Sequence, residues 1–346
     1  MIIRRVTQAA GPLLAVHGGA GPLRADLVRP EHEEGRRAGL RQALAAGWRV
    51  LAAGGPALDA AQAAVVALED HPLFNAGRGS VLTALARVEM DASIMCGRTL
   101  RAGALCGSRR LRNPVSAARL LLEEGRVFCE AAAVEAWLSA RGLILKDPVW
   151  FITAERMAQL EAARERGRVL LDHAAETAGA EAQTAQAAGS GDDGGTVGAA
   201  ARDAAGDLAA ATSTGGMTNK HPGRIGDSPV IGAGTYADNR SLAVSGTGAG
   251  EAFIRGVFAH EAEARLRLAG QDLAAACAGA LERVRELGGE GGCAAVDAAG
   301  AALAFNSEGM YRAWVDPAAG RWGLAIFQEE ELEGGRLEEL LELERR

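Results

Sequence analysis

The chain has 346 residues, 48% of them hydrophobic and 23% charged, which excludes a disordered or fibrous protein and allows one large domain or two ordinary ones. A chain of this length buries about three quarters of its unfolded surface and needs no disulfide or metal staples. With 37 basic and 44 acidic residues the formal net charge is −7, so no broad basic surface invites nucleic acid.

Residues 1–24 carry Arg4 and Arg5 but no long apolar core, because His17, Gly18, Gly19 and Gly21 interrupt it. No other apolar run reaches spanning length. Five cysteines (Cys96, Cys106, Cys129, Cys277 and Cys293) have no metal-ligand spacing and read as buried free thiols of a reducing compartment. The expectation is a cytoplasmic protein with no membrane partner.

In chain order, Leu13 to Val16 reads as a buried strand that ends in a tight turn at His17-Gly-Gly-Ala-Gly21. Leu40, Leu44, Trp48 and Leu51 have helical spacing within 31–53. A second helix is expected from Pro56 to Glu69, since proline suits a first turn. The glycine-punctuated loop Leu73-Phe-Asn-Ala-Gly-Arg-Gly-Ser80 precedes a strand over Val88–Met95, and Asn113-Pro114 opens a helix that ends near Gly125.

Composition breaks at residue 174. From Ala174 to Gly195 there is no Leu, Ile, Val or aromatic residue, so the segment cannot bury enough to order itself and reads as flexible. A strand begins at once at Thr196. Thr196–Arg202 and Leu208–Thr214 flank the turn Asp203-Ala-Ala-Gly-Asp207. In a symmetric antiparallel hairpin paired positions have a constant sum, here 410, which sets Thr196 opposite Thr214 at the open end. A helix near 251–268, strands near 293–327 and a solvated acidic helix over 329–346 complete an α+β pattern with antiparallel sheet.

Several chemistries are excluded. There is no Gly-x-Ser-x-Gly elbow and no Walker A lysine, and Gly246-Thr-Gly-Ala-Gly250 misspaces the third glycine of a dinucleotide turn. His17, His32, His71, His173, His221 and His260 form no close-spaced metal set.

Gly194-Gly-Thr-Val-Gly198, the long block Thr212–Tyr236 and Ser245-Gly-Thr-Gly-Ala-Gly-Glu251 together resemble the plant-type L-asparaginase and isoaspartyl peptidase family of N-terminal nucleophile hydrolases. The resemblance extends to His17–Gly21, Leu73–Gly79, Glu89-Met-Asp-Ala92, Gly291-Gly292 and Phe305–Trp314. It implies a four-layer αββα sandwich in one domain of two self-cleaved fragments, 1–195 and 196–346. The cut falls between Gly195 and Thr196, where glycine tolerates backbone conformations closed to other residues. Cleavage would free the α-amine of Thr196, whose reference pKa of about 7.7–8.0 lets it serve as base to its own hydroxyl.

Other roles follow from the same resemblance. Thr214 matches a threonine that hydrogen-bonds the nucleophile, and Asn75 a residue near its amine. Arg224 and Asp227 match a pair that grips the substrate's α-carboxylate and α-ammonium. Thr247 and Gly248 match oxyanion stabilisers that also line the substrate. The loop carrying Leu68, Glu69, His71, Phe74, Ala76 and Arg78 matches one that holds a structural sodium through backbone oxygens; no cofactor is implied for catalysis. The implied activity is hydrolysis of L-asparagine and β-aspartyl dipeptides by a dimer of cleaved heterodimers. A glycosylasparaginase-like enzyme shares the Gly-Asp-Ser-Pro block, and a non-catalytic amino-acid-binding homologue would use the same clamp. Gly194 stands where relatives often have His, which implies slow maturation.

Overall fold

A computed structural model of the chain describes residues 1–7, 10–23, 28, 30–165, 167, 195–328, 330 and 333–342. The expected flexible segment lies outside the described residues except for Gly195, and so does Gly194. In chain order the first half runs β1 (Ile2–Thr7), β2 (Leu13–Gly21), α1 (Pro30–Ala52), α2 (Ala57–Asp70), β3 (Met90–Cys96) and β4 (Ala102–Ser108). Then come α3 (Pro114–Glu123), β5 (Phe128–Glu130), α4 (Ala131–Ser139), α5 (Ala154–Glu165), β6 (Val197–Arg202), β7 (Leu208–Thr214) and β8 (Thr235–Ala237). The remainder is β9 (Leu242–Gly248), α6 (Gly250–Gly256), α7 (Phe258–Arg267), α8 (Leu273–Glu286) and β10 (Gly291–Asp297). It closes with β11 (Gly300–Phe305), β12 (Gly309–Asp316), β13 (Arg321–Phe327), β14 (Glu333–Arg336) and α9 (Leu337–Glu342).

The fold mixes helices with two sheets. One sheet has the order β1-β11-β10-β9-β8; the other has β14-β13-β12-β2-β6-β7-β3-β4-β5. All pairings are antiparallel except β4 with β5. Period-two alternation sorts small side chains to opposite faces. On β2 and β6, Leu14, Val16, Ala199 and Ala201 join the core under α1, α2 and α3. Leu13, Ala15 and Ala200 join a second core between the sheets, with Ala243, Ala294 and Val296 from β9 and β10. Cys293 and Ala295 turn the other way, toward α7 and α8. Alanine and glycine at these faces explain how so few aromatics fill the interior.

The hairpin register is as read from the sequence: Val197 pairs with Ser213 and Arg202 with Leu208. Other readings need correction. The strand from Leu13 does not turn at His17; it runs through Gly21, because β12 pairs with it across a register shift at Tyr311/Arg312 while Gly19 adopts φ 118°. The helix expected over 251–268 is two helices broken at Val257, whose φ of 47° and ψ of 48° are left-handed. Nor is the acidic end a single solvated helix. Among its described residues β14 pairs with β13, Leu340 is buried, and Arg37 and Arg41 bind Glu330 and Glu333. Of the five free thiols only Cys277 and Cys293 are buried; Cys96, Cys106 and Cys129 are half-buried.

Candidate active site

The open end of the β6–β7 hairpin places Thr196 beside Thr214. The Thr196 hydroxyl donates to Thr214 Oγ1 at 3.1 Å, and Thr214 Oγ1 also accepts from the Gly216 amide at 2.9 Å. Thr214 therefore offers its lone pairs to two donors, which orients it as an acceptor facing Thr196. Ser228 Oγ lies 3.5 Å from Thr196 Oγ1. Both threonines are buried.

From Gly215 to Gly234 the chain leaves the sheet as a loop that carries Arg224 and Asp227. Arg224 is held side-on by Glu251 at the start of α6: Nε and Nη2 donate to its two carboxylate oxygens at 2.8 Å each. Asp227 is buried, and its Oδ2 has no hydrogen-bond partner among the described residues. Burial pushes the Asp227 carboxyl up to about 7, although Arg224 pulls it back. Gly250 lies between the two charges. A Cβ there would stand 2.8 Å from Arg224 Nη2 and 3.0 Å from Asp227 Oδ1. A side chain at 250 would crowd both the guanidinium and the carboxylate, so glycine lets the start of α6 lie directly against the pair.

The loop carrying Arg224 and Asp227 has its own supports. Glu89 Oε2 accepts the Gly223 amide at 2.7 Å, and buried Lys220 donates to the Glu89 carbonyl at 2.6 Å. Asp91, opposite Thr214 in the sheet, accepts the Gly107 amide at 2.9 Å. Burial raises its carboxyl while Lys220 lowers it.

Thr247 and Gly248 end β9. The Thr247 hydroxyl accepts the Ala20 amide at 3.3 Å, which ties β9 to the glycine-rich end of β2. Gly248 has φ 146°, and a Cβ there would meet the Glu290 carbonyl and stand 2.6 Å from Gly291 Cα, so only glycine fits.

Asn75 is buried, but its side chain is directed to the turn after β7. Nδ2 donates to the Gly216 carbonyl at 2.7 Å and Oδ1 accepts the Val81 amide at 2.9 Å. Preceding it, the loop from Leu68 folds back so tightly that a Cβ on Gly77, at φ 52°, would collide with the Glu69 carbonyl. The carbonyls of Leu68, His71, Phe74 and Ala76 each accept one backbone N–H and keep a second lone pair. Neutral carbonyl oxygens are the kind of donor a hard cation takes.

Sequence reasoning assigned no role to His17, Ser228, Lys220 or Glu251. His17 Nδ1 lies 3.1 Å from the Thr196 carbonyl. Glu251 was legible only as the end of a glycine motif, because its partner lies 27 residues away.

A buried hydroxyl beside an acceptor, a neighbouring guanidinium and carboxylate, and a glycine-lined strand end are groups that an acyl-transfer hydrolysis can use. Residues 10–321 match the family model described as Asparaginase. The chain is 47% identical over 305 residues to the isoaspartyl peptidase of Escherichia coli (strain K12), covering 87% of this chain and 92% of that one. It is 40% identical over 327 residues to the putative isoaspartyl peptidase/L-asparaginase of Dictyostelium discoideum, covering 88% and 93%. Against the isoaspartyl peptidase/L-asparaginase of Homo sapiens the identity is 41% over 257 residues, covering 70% and 73%. The chain belongs to the asparaginase family. Among the described residues no helix is long and apolar enough to cross a membrane.

Proposed function

We propose that the protein is a self-processing threonine hydrolase that releases ammonia from L-asparagine and cleaves β-aspartyl dipeptides. The observation that carries this reading is the buried Thr196–Thr214 hydroxyl pair at the open end of a hairpin, in the family to which the chain belongs. The two substrates share an amino-acid head and a side-chain acyl carbon and differ only in the leaving amine.

In this reading Arg224 binds the α-carboxylate and the unsatisfied Asp227 carboxylate binds the α-ammonium. The freed α-amine of Thr196 takes the hydroxyl proton as Oγ1 adds to the acyl carbon. Thr247 and Gly248 stabilise the oxyanion, a charge that exists only in the tetrahedral state. The ammonium of Thr196 then protonates the leaving nitrogen, the C–N bond breaks, and water activated by the same amine releases aspartate. Asn75 acts through the Gly215–Gly216 turn, holding the backbone that orients Thr214. A structural sodium on the carbonyls of Leu68, Glu69, His71, Phe74, Ala76 and Arg78 would supply positive charge that fixes the loop carrying Asn75.

Helices outside two face-to-face sheets support the four-layer αββα sandwich of N-terminal nucleophile hydrolases. The same reading implies one domain of two fragments, assembly as a dimer of cleaved heterodimers, and a cytoplasmic setting. On a denaturing gel the mature protein should show fragments of about 20 and 15 kDa, the residue shares of 35.6 kDa. The smaller should begin Thr-Val-Gly-Ala, and the preparation should release ammonia from asparagine. A fully active single band would sink the mechanism. A cleaved protein that binds asparagine without hydrolysing it would favour the amino-acid-binding alternative.

A further inference from the structure

We infer that His17 is a positioning residue for the nucleophile, held between the Thr196 carbonyl on one side and a chain of hydroxyls that crosses between the two sheets on the other. This inference rests on the reading of Thr196 as the nucleophile.

His17 is fully buried on β2 with both ring nitrogens engaged: Nδ1 lies 3.1 Å from the Thr196 carbonyl and Nε2 2.8 Å from Ser245 Oγ. A carbonyl oxygen only accepts, so Nδ1 carries the proton and donates it there. The ring stays neutral, because burial drives its pKa down to about 3 despite the Thr196 contact. Nε2 is then an acceptor, and the Ser245 hydroxyl must donate to it. Each hydroxyl has one proton, so the direction propagates. Thr212 donates to Ser245 at 2.7 Å, Thr235 to Thr212, and Ser93 stands 2.8 Å behind Thr235. Ser93 Oγ is also 2.6 Å from the Ser228 carbonyl. The directed chain thus runs from Thr235 through Thr212, Ser245 and His17 to the backbone of Thr196, while the Ser93 hydroxyl has one proton for two acceptors, Thr235 Oγ1 and the Ser228 carbonyl.

Gly198 supplies a second, independent observation. It pairs with His17 in the sheet, and a Cβ there would collide with Ser245 Oγ and lie 2.5 Å from His17 Nε2. The last glycine of Gly195-Thr-Val-Gly198 is where the His17–Ser245 bond passes from one sheet to the other. Three motif residues with no assigned role, His17, Gly198 and Ser245, therefore form one device. It fixes the carbonyl of Thr196, and with it the direction in which the residue's amine and hydroxyl face the cleft. The clamp is held separately by Glu251 and Glu89, so loss of this device lowers kcat without moving KM.

The test uses mature protein labelled with ¹⁵N-histidine, with rates normalised to Thr196 N-termini. Long-range ¹H–¹⁵N spectra should show His17 as the Nδ1–H tautomer between pH 6 and 8. Ser245→Ala should keep the Nδ1–H tautomer, which the Thr196 carbonyl sets, but shift the Nε2 resonance of an acceptor that has lost its donor, and should lower kcat for asparagine about 10- to 100-fold, with KM within about twofold. Ser245→Thr should restore both signals, and Gly198→Ala should behave like Ser245→Ala. If Ser245→Ala does not accumulate folded, the pair Thr212→Val and Thr212→Ser reads the same chain one link further out, with a smaller loss and a rescue. An Nε2–H or charged ring in the wild type, an undiminished kcat in Ser245→Ala, or equal losses in Ser245→Ala and Ser245→Thr would each overturn the inference. Failure of the underlying reading is seen elsewhere, as hydrolysis by Thr196→Ala.

Discussion

The β6–β7 hairpin and the loop from Gly215 to Gly234 both bring chemistry to the cleft, and they are held by opposite means. Hairpin residues are placed by a backbone ladder with alanine on both faces, so register sets Thr196 beside Thr214, and His17 on the neighbouring strand adds one further contact. The loop has almost no ladder. Gly216, Asn219, Gly223 and Gly232 have positive φ, and its position depends on Glu89, Lys220, Asn75 and Glu251. In the proposed function Thr196 is the nucleophile and needs one fixed geometry, which a ladder supplies. A clamp for a zwitterion needs opposite charges kept apart and partly unsatisfied, which only a loop braced by buried polar groups allows.

That contrast can be broken at several points. The largest effect is expected at the hairpin's open end. Thr196→Ala should lower ammonia release at least about 10³-fold and leave an uncleaved band, while thermal unfolding shows the ladder intact, since one neutral hydrogen bond is worth only about 1 kcal/mol. Arg224→Ala comes next, raising KM about 10- to 100-fold for asparagine and a β-aspartyl dipeptide alike, the range for a lost charge-assisted pair. A loss confined to the dipeptide would place Arg224 at the leaving group instead.

Lys220→Met probes the bracing. It removes a buried cation from beside Asp91 and Glu89, and should cost about 3 kcal/mol of stability, read by denaturant titration, with KM raised more than kcat is lowered. Equal losses in the two constants would mean that the brace supports the hairpin as well. The smallest effect is in pH. Asp227 has a carboxyl raised to about 7, so it is charged above that pH and neutral below. KM for asparagine should rise as pH falls through 7, by up to about tenfold per unit while one proton competes with the ammonium. Asp227→Asn should flatten that limb at a high, constant KM.

Much of this division was legible in the residues. The turn Asp203–Asp207 fixes the hairpin register because both strands are short and the loop symmetric, and the resulting pairing of Thr196 with Thr214 needs no tertiary information. Helical spacing located α1 and α2 to within a residue or two. What escaped was long-range. Glu251 reaches Arg224 across the sheet end, and Ser245 reaches His17 across 228 residues. The strand through His17-Gly-Gly was read as a turn because three glycines in five residues are a strong turn signal. Only the neighbouring β12, far along the chain, holds them extended. The break at Val257 was marked in the sequence only by the adjacent Gly256, since valine itself is among the residues least suited to a left-handed backbone.

That break bears on engineering. Val257 is 48% exposed, so its side chain contributes little burial, yet its φ of 47° costs on the order of 1–3 kcal/mol for a β-branched residue. Val257→Gly would relieve the strain with small loss of packing, and a melting temperature raised by about 2–4 °C per kcal/mol recovered would report it. An unchanged or lower value would show that the added freedom of the unfolded glycine cancels the relief. The joint lies at the far end of α6, whose start carries Gly250 and Glu251. A KM for asparagine that rises in the same variant would show that this joint also sets the aim of Arg224 through Glu251.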